Sequence, residues 1–191
     1  LHVFHPLLLS QDYQKTSRVN IIIFGYSFNQ SLDNTNLPSG LENLTFGDKF
    51  NRSLDNTTLP SGLKTLTFAC CFQQILDNTT LPSGLESLTF GRDWNQSIAN
   101  ITFPSGLKNL TFGIFFNQSL DYILLPVGLQ SLTFGHFFKQ HMYRTCLPSG
   151  LRSLTLGGEF NQNIDDMQFP SGPQSLKFGY RFNQNIDNVN L

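Results

Sequence analysis

Charged side chains are scarce in this sequence of 191 residues: they make up 13% of it, whereas an ordinary soluble domain carries roughly a quarter. The formal net charge is −1, so the chain lacks the basic surface that binding to nucleic acid or to an anionic membrane requires. No apolar run approaches the roughly 18 to 20 residues that span a bilayer. We therefore expect no nucleic-acid partner and no membrane association.

Cysteine and histidine are also few. The three cysteines, Cys70, Cys71 and Cys146, are odd in number and lack the CxxC or Cys/His spacing of a zinc site, so we interpret them as free thiols. The four histidines provide no second pair of metal ligands and no nucleophile at catalytic spacing. We predict no catalytic residue, no cofactor and no metal site.

Phenylalanine, glycine and proline are abundant, and they recur with one period. Proline returns every 22 residues from Pro38 to Pro170 without an insertion. Fourteen of the 19 phenylalanines fall in two rows of the same period. The first aromatic row consists of Phe24, Phe46, Phe68, Phe90, Phe112, Phe134 and Phe178, with Leu156 in the gap. The second aromatic row consists of Phe28, Phe50, Phe72, Trp94, Phe116, Phe138, Phe160 and Phe182.

One window, residues 38–59, shows what each repeat encodes. Leu44 and Phe46 alternate with polar residues, which is the period of two that is typical of a short, half-buried strand. The segment Leu37–Gly40 fits a type I turn with proline at its second position, and Gly47 lets the backbone turn sharply after the strand. A single such coil buries too few apolar side chains to offset its backbone entropy, so the coils must stack.

The repeat reads LxxLxFGxxFNQ, for example in residues 41–52, 107–118 and 151–162, with Arg52 and Leu156 as exceptions. It resembles the FNIP repeat, a 22-residue relative of the leucine-rich repeat, although Gln-Ser-Leu or Gln-Asn-Ile follows Phe-Asn where that family has Ile-Pro. The resemblance implies a mainly β, right-handed leucine-rich-repeat-like solenoid of about eight 22-residue coils with short parallel strands. It also implies a role in protein binding, in proteins that often carry F-box, kinase or other domains.

A row of asparagines follows the second aromatic row, and Gln73 keeps an amide where asparagine is absent. The row resembles the asparagine ladder of leucine-rich repeats, in which buried side-chain amides satisfy backbone groups of adjacent coils. Only Lys139 breaks it, and its ammonium group must either reach solvent or disturb that corner. The predicted structural ladder is Asn29, Asn51, Asn95, Asn117, Asn161 and Asn183.

The outward positions of successive strands carry charges of alternating sign, which favour correct stacking and offer a polar binding face. This candidate strand face comprises Glu42, Lys64, Glu86, Lys108 and Arg152. A row of threonines beside it is compatible with an alternative, a structural or ice-binding solenoid, although the charges oppose a flat ice-binding surface. Regular exposed threonines are also simply favourable in strands.

Departures from the repeat point to a candidate interaction patch. The two positions between glycine and the second aromatic are polar in most coils but become Ile114, Phe115, His136 and Phe137. The next stretch also departs from the consensus, and we predict one exposed apolar patch whose side chains on adjacent coils lie about 5 Å apart. Drift in duplicated repeats, with some residues folded inward, is the alternative. The other members of the candidate patch are Tyr122, Ile123, Leu124 and Tyr143.

The ends of the chain differ from its middle. Residues 1–15 do not match the repeat and are predicted to be a divergent leader or a partial cap. Ile21 and Ile23 are predicted to point outward, and in a cap residues 2–9 would fold back over them. Residues 16–191 form the predicted solenoid, which stops in mid-repeat, so we expect a fragment of a longer protein.

Taken together, these features predict a non-catalytic protein-interaction scaffold, a monomeric array within a larger chain. The partner is unknown, and the compartment stays open with the cytoplasm favoured. Besides the ice-binding alternative, the array could serve as the targeting part of a larger multidomain enzyme.

Overall fold

A computed structural model describes residues 3–4, 19–165, 167–170, 174–187 and 189. The described residues contain nine short strands and no helix, and hence no helix that could cross a membrane. The strands are β1 (Val3–Phe4), β2 (Ile21–Phe24), β3 (Asn43–Thr45), β4 (Thr65–Thr67), β5 (Ser87–Thr89), β6 (Asn109–Thr111), β7 (Ser131–Thr133), β8 (Ser153–Thr155) and β9 (Ser175–Lys177).

The strands form one parallel sheet in which the spatial order is the chain order. From β2 onwards each residue pairs with the residue 22 positions later, as Leu44 does with Leu66 and Leu66 with Leu88. One strand per coil and no crossover define a solenoid, so the predicted mainly β stack of coils with short parallel strands is confirmed.

The core is a column of repeated side chains beneath the sheet. Leu44 and its equivalents point inward from the strand centres, and the two aromatic rows lie behind them. Within a coil the two aromatic rings stack with centroids 3.7 to 4.0 Å apart. Rings of successive coils also stack on each other, except where Leu156 interrupts the first aromatic row, so the core is a double aromatic stack parallel to the solenoid axis.

The spacing between coils grows with distance from the sheet. Strands in a sheet lie about 4.8 Å apart. Neighbouring rings are 5.4 to 6.1 Å apart in the first aromatic row and 5.7 to 6.3 Å apart in the second. The coils therefore fan out, and the sheet lies on the inner side of the resulting curve.

The proline turn differs from the prediction by one residue. The N–H of Leu41 donates to the carbonyl of Pro38 at 3.0 Å, and the same bond recurs in later coils, for example from Leu63 to Pro60. Proline is therefore the first residue of the turn, and Ser39 and Gly40 are its central residues. The prediction that Leu37 begins this turn is wrong, because the hydrogen bond that closes it starts at the proline carbonyl.

The glycine after the strand is required by close stacking. A Cβ added at Gly47 would collide with the carbonyl oxygen of Gly25, and one added at Gly135 would collide with that of Gly113. Neither glycine has a left-handed φ, so the interpretation that Gly47 provides a sharp turn is replaced by a steric one. Ala69 is the exception in this row.

At the start of the array, β1 pairs with β2 in parallel, with Val3 opposite Ile23. Ile21 is exposed as predicted, whereas Ile23 is half-buried, as are other outward strand residues such as Thr45, because neighbouring strands partly cover them. The remainder of the predicted leader or cap lies outside the described residues, so that assignment stays a prediction.

Candidate interaction surface

Two consecutive residues between the glycine and the second aromatic vary from coil to coil, and together they form one edge of the solenoid. We call it the variable edge. In each coil the N–H of the second residue donates to the carbonyl of the first residue of the preceding coil, at 2.8 to 3.2 Å. The seven donor–acceptor pairs are Lys49–Tyr26, Cys71–Asp48, Asp93–Cys70, Phe115–Arg92, Phe137–Ile114, Glu159–His136 and Arg181–Gly158.

This hydrogen-bond ladder was not predicted from the sequence. Its signal was present, because the number of residues between the glycine and the aromatic never changes although their identity does. Backbone groups make these bonds, so side chains other than proline at the donor position can vary while the backbone of the edge stays fixed. Sequence variation can therefore accumulate here at little cost to the fold.

The middle of the variable edge is apolar and exposed. Phe115 and Phe137 are 43% and 40% exposed, and their rings stack in parallel with centroids 5.0 Å apart. Ile114 lies on the same edge with similar exposure. The spacing matches the distance of about 5 Å expected for adjacent coils. Two exposed, parallel aromatic rings form a flat apolar surface.

A polar cluster borders this apolar centre on the C-terminal side. The Tyr180 hydroxyl donates to Glu159 Oε1 at 2.7 Å, and Arg181 Nε lies 3.3 Å from the same oxygen. His136 Nε2 is 3.6 Å from it and 3.4 Å from Tyr180 Oη. The Tyr180 hydrogen bond, followed by the charges of Arg181 and His136, lowers the pKa of Glu159. A Cβ at Gly158 would crowd His136 and Tyr180, so this glycine lets the two side chains meet.

On the N-terminal side, Arg92 and Asp93 form an ion pair with an Nε–Oδ1 distance of 2.7 Å. Partial burial and the carboxylate of Asp48 raise the pKa of the neighbouring Cys70 thiol. A raised pKa favours the protonated thiol, which is a weaker nucleophile than the thiolate.

The other part of the predicted patch lies at a different corner of the coil. Tyr122 and Leu124 are 74% and 88% exposed. Between them and Phe115 the chain passes through the buried side chains of Phe116 and Leu120, which turn it around the core. No hydrogen bond or aromatic contact joins the two groups in the described part of the chain. The prediction of a single patch is therefore wrong, because the core separates two surfaces.

Ile123 also departs from the prediction, because it is half-buried and packs against the core. It occupies a repeat position that points inward in neighbouring coils, where Thr79, Ile101 and Thr145 are buried. Apolar residues at this position fill the core and do not extend an exposed patch. The alternative that some of the departing residues fold inward is correct for this one.

The second surface, which we call the back corner, is built around a strained tyrosine. Tyr122 has φ of 61°, a left-handed conformation that is uncommon for a bulky residue and that the repeat elsewhere gives to Asn34. The guanidinium of Arg144 lies over the ring of Tyr122 at 5.5 Å and over that of Tyr143 at 5.1 Å. These cation–π contacts join two successive coils on an exposed corner.

The asparagine row forms a hydrogen-bond ladder along another line of the solenoid. Oδ1 of Asn29 accepts the N–H of Asn51 at 3.0 Å, and Oδ1 of Asn95 accepts the N–H of Asn117 at 2.9 Å. Equivalent bonds join Asn51 to Gln73, Asn117 to Lys139 and Asn161 to Asn183. The expectation of buried amides is wrong, because the row is half-buried or exposed.

A glutamine row reinforces this ladder and was not predicted. Nε2 of Gln118 donates to Asn95 in the preceding coil, and Nε2 of Gln162 donates to the carbonyl of Lys139. Gln73 donates its backbone N–H to Oδ1 of Asn51, and within the described residues its own side chain makes no hydrogen bond to Asn95. Lys139 is exposed, as its charge requires.

On the strand face the alternating charges form two ion pairs. Lys64 Nζ lies 3.0 Å from Glu42, and Lys108 Nζ lies 2.8 Å from Glu86. The hydrogen bond from Lys108 lowers the pKa of Glu86. Arg152 is exposed on the same face. The pairs form a row of long charged side chains at repeat positions separate from the continuous threonine row.

Groups of three or more histidine, cysteine or acidic residues that could hold a metal ion are absent from the described ranges. The stacked parallel coils, with one strand per 22-residue repeat, define a repeat protein with a leucine-rich-repeat-like solenoid fold. The chain belongs to the FNIP repeat family, because the family model described as FNIP Repeat matches it in five successive windows. These cover residues 16–49, 28–71, 72–115, 116–159 and 160–191.

A solved structure has the same fold. It is that of CroV588, described as a novel circular LRR protein structure, and it superposes with a TM-score of 0.82 at 40% sequence identity over 88% of this chain. The match covers 25% of CroV588, so this chain spans about a quarter of that protein's length. No curated protein matches the sequence. Repeats of the FNIP and leucine-rich type are typically non-catalytic scaffolds.

Proposed function

We propose that the chain is a non-catalytic scaffold that binds a protein partner through its variable edge. The observation that carries this proposal is the exposed, parallel Phe115–Phe137 pair on a backbone that is hydrogen-bonded from coil to coil. Aromatic and arginine side chains dominate the energetics of protein interfaces, and Arg92, Tyr180 and Arg181 flank the pair. An apolar centre with a polar rim is the usual anatomy of such a surface.

The rigidity of the edge supports the same proposal. A partner that binds to ordered side chains loses less conformational entropy than one that must first order a loop. The ladder fixes the backbone, and the Tyr180–Glu159–Arg181 cluster holds its side chains in one arrangement. The surface is therefore organised before the partner arrives.

We also propose that the chain is a segment of a longer array. Its match covers a quarter of a circular relative, and its own coils fan out in one direction, as the coils of a curved array must. Further coils of the same kind would continue the sheet in the same 22-residue register.

The test replaces the apolar centre without touching the core. The double variant Ile114→Ser with Phe115→Ser should nearly keep the melting temperature of the wild type, because both side chains lie on the exposed edge, each 43% exposed, and outside the buried core. Affinity capture followed by mass spectrometry should then show partners that the wild type retains and the variant loses. The matched control, Tyr122→Ser with Leu124→Ser, removes apolar area from the back corner and should retain them.

Three results would contradict the proposal. A large fall in melting temperature would mean that Ile114 and Phe115 belong to the core. Loss of partners in the control, with retention in the edge variant, would move binding to the back corner. Loss only in a strand-face variant such as Lys64→Gln would move it to the inner face of the curve.

A further inference from the structure

We propose that the variable edge recognises an acidic peptide segment with apolar residues at its centre, bound in an extended conformation along the edge. This inference rests on the proposed scaffold function and adds the chemistry of the partner. Three observations support it: the orientation of the charges, the free hydrogen-bonding capacity of the arginines, and the distance between them.

The charges around the apolar centre are arranged with the cations outward. In the Arg92–Asp93 pair the arginine side chain is 51% exposed and the aspartate 22%. In the Arg181–Glu159 pair the values are 60% and 26%. The carboxylates lie against the solenoid and hold the guanidinium groups at its surface. A partner that approaches from solvent therefore meets positive charge first.

The formal charges on this stretch of the edge balance, because Arg92 and Arg181 face Asp93 and Glu159. The greater exposure of the two guanidinium groups therefore decides which charge a partner meets. Electrostatic complementarity of this kind selects partners and speeds their association. An acidic segment fits this edge, and a basic segment would face exposed guanidinium groups.

Both arginines keep donors for a partner. Arg181 approaches Glu159 through Nε. Arg92 uses Nε and one terminal nitrogen on Asp93. A guanidinium has five N–H donors, so each arginine can still bind a carboxylate through its outer N–H groups. Arg–carboxylate bonds are charge-assisted, and a paired geometry adds specificity to their strength.

The distances set the length of the segment. Arg92 and Arg181 lie four coils apart along the edge. With a spacing of 5.0 Å per coil, as measured between Phe115 and Phe137, they are about 20 Å apart. An extended chain rises about 3.3 Å per residue, so about six residues connect the two arginines. Acidic residues at both ends would then place the apolar residues over the phenylalanine pair.

The test uses fluorescence anisotropy with defined peptides and the folded chain. The probe peptide has two glutamates, a Leu-Phe-Leu centre and two further glutamates. The comparison peptides replace the glutamates by lysines or by serines, or replace the centre by serines. We expect the acidic probe to bind at least about tenfold more tightly than the lysine peptide and to weaken with added salt, because exposed charges are screened.

Variants of the chain locate the binding site. Arg181→Gln and Arg92→Gln should each weaken binding of the acidic probe several-fold, and Phe115→Ser with Phe137→Ser should abolish it. Arg152→Gln removes an exposed arginine from the strand face and should leave binding unchanged. Circular dichroism melts of each variant confirm that the fold is retained.

Equal binding of the acidic and lysine peptides, no effect of either arginine variant, or no binding of any peptide at 1 mM (roughly −4 kcal/mol) would overturn the proposal. In each case a partner whose capture still depends on Ile114 and Phe115 would leave the scaffold function standing. If capture does not depend on them either, both proposals fail.

Discussion

Phe115 and Phe116 are neighbours in the sequence, yet they belong to opposite parts of the molecule. Phe116 is fully buried in the double aromatic stack, whereas Phe115 is 43% exposed on the variable edge. The same residue type therefore serves the fold at one position and a surface at the next. Position within the repeat, and not hydrophobicity, decides which role a phenylalanine has.

The two regions differ in how strongly stacking constrains them. A side chain of the aromatic stack must fit copies of itself above and below, so a change in one coil affects its neighbours as well. A residue of the variable edge connects to the next coil through backbone groups, which every residue except proline can provide. Uniformity is thus expected inside the solenoid, and diversity on its edge.

The largest expected effect on stability comes from replacing each of the two phenylalanines by alanine in turn. Phe116→Ala leaves a cavity in the aromatic stack and should lower the free energy of unfolding by about 3 to 5 kcal/mol. Phe115→Ala loses a stacked ring on the surface and should cost less than about 1 kcal/mol. Urea denaturation of both variants measures the difference, and similar losses would abolish the distinction between interior and edge.

A smaller effect separates the two rows of glycines. Gly135→Ala places a Cβ against the carbonyl of Gly113 and should destabilise the chain by about 1 to 3 kcal/mol. At Gly150 the added Cβ would lie 3.6 Å from the carbonyl oxygen of Val127, an ordinary contact. Gly150→Ala should therefore change stability by less than about 1 kcal/mol. Equal losses of stability would mean that close stacking does not require glycine at Gly135, and that an alanine such as Ala69 is tolerated throughout that row.

Strict periodicity is what made much of the fold predictable. A spacing of 22 residues without insertions requires equivalent residues to stack, so strands, parallel pairing and core rows follow from the spacing alone. The turn at Pro38 was displaced by one residue, because proline fits either of two positions in such a turn. The pattern did not reveal the reason for Gly47, because a clash between coils depends on their separation.

The surfaces were less predictable for a related reason. Departures from the repeat identify exposed positions such as Phe115, Phe137 and Leu124, but sequence proximity does not show which of them share a corner of the coil. Ile123 was misplaced because threonine in the neighbouring coils suggested a solvent-facing position, whereas that threonine row points inward. The cluster around Glu159 joins residues from three coils and has no signal in any one of them.

Restoring the asparagine ladder should give a moderate gain. Lys139→Asn supplies a side-chain oxygen that can accept the N–H of Asn161. Other asparagines of this row, such as Asn95 and Asn161, accept the backbone N–H of the residue 22 positions later in the same way. One hydrogen bond contributes about 0.5 to 1.5 kcal/mol. Lys139→Ala, the control, removes the same charge without adding an acceptor. If both variants gain equally, the benefit comes from removing the lysine charge and not from the ladder.

The smallest effect is expected from the polar cluster on the edge, and it depends on pH. The Tyr180 hydrogen bond, with Arg181 and His136 nearby, holds the pKa of Glu159 below its ordinary value of 4.5. Folding therefore favours the ionised carboxylate. This contribution is present above pH 4.5 and is lost as the pH falls through the lower value of the folded state.

Glu159→Gln should accordingly melt slightly below the wild type at pH 7, and the difference should vanish at a pH below the folded-state pKa of Glu159. Tyr180→Phe, which removes the hydrogen bond and keeps the ring, should reproduce part of the loss. Because Glu159 lies at the surface, the whole effect should stay far below that of Phe116→Ala. A loss as large as that of a core variant would mean that the edge cluster holds the coils together, and the division between a structural interior and a functional edge would then fail.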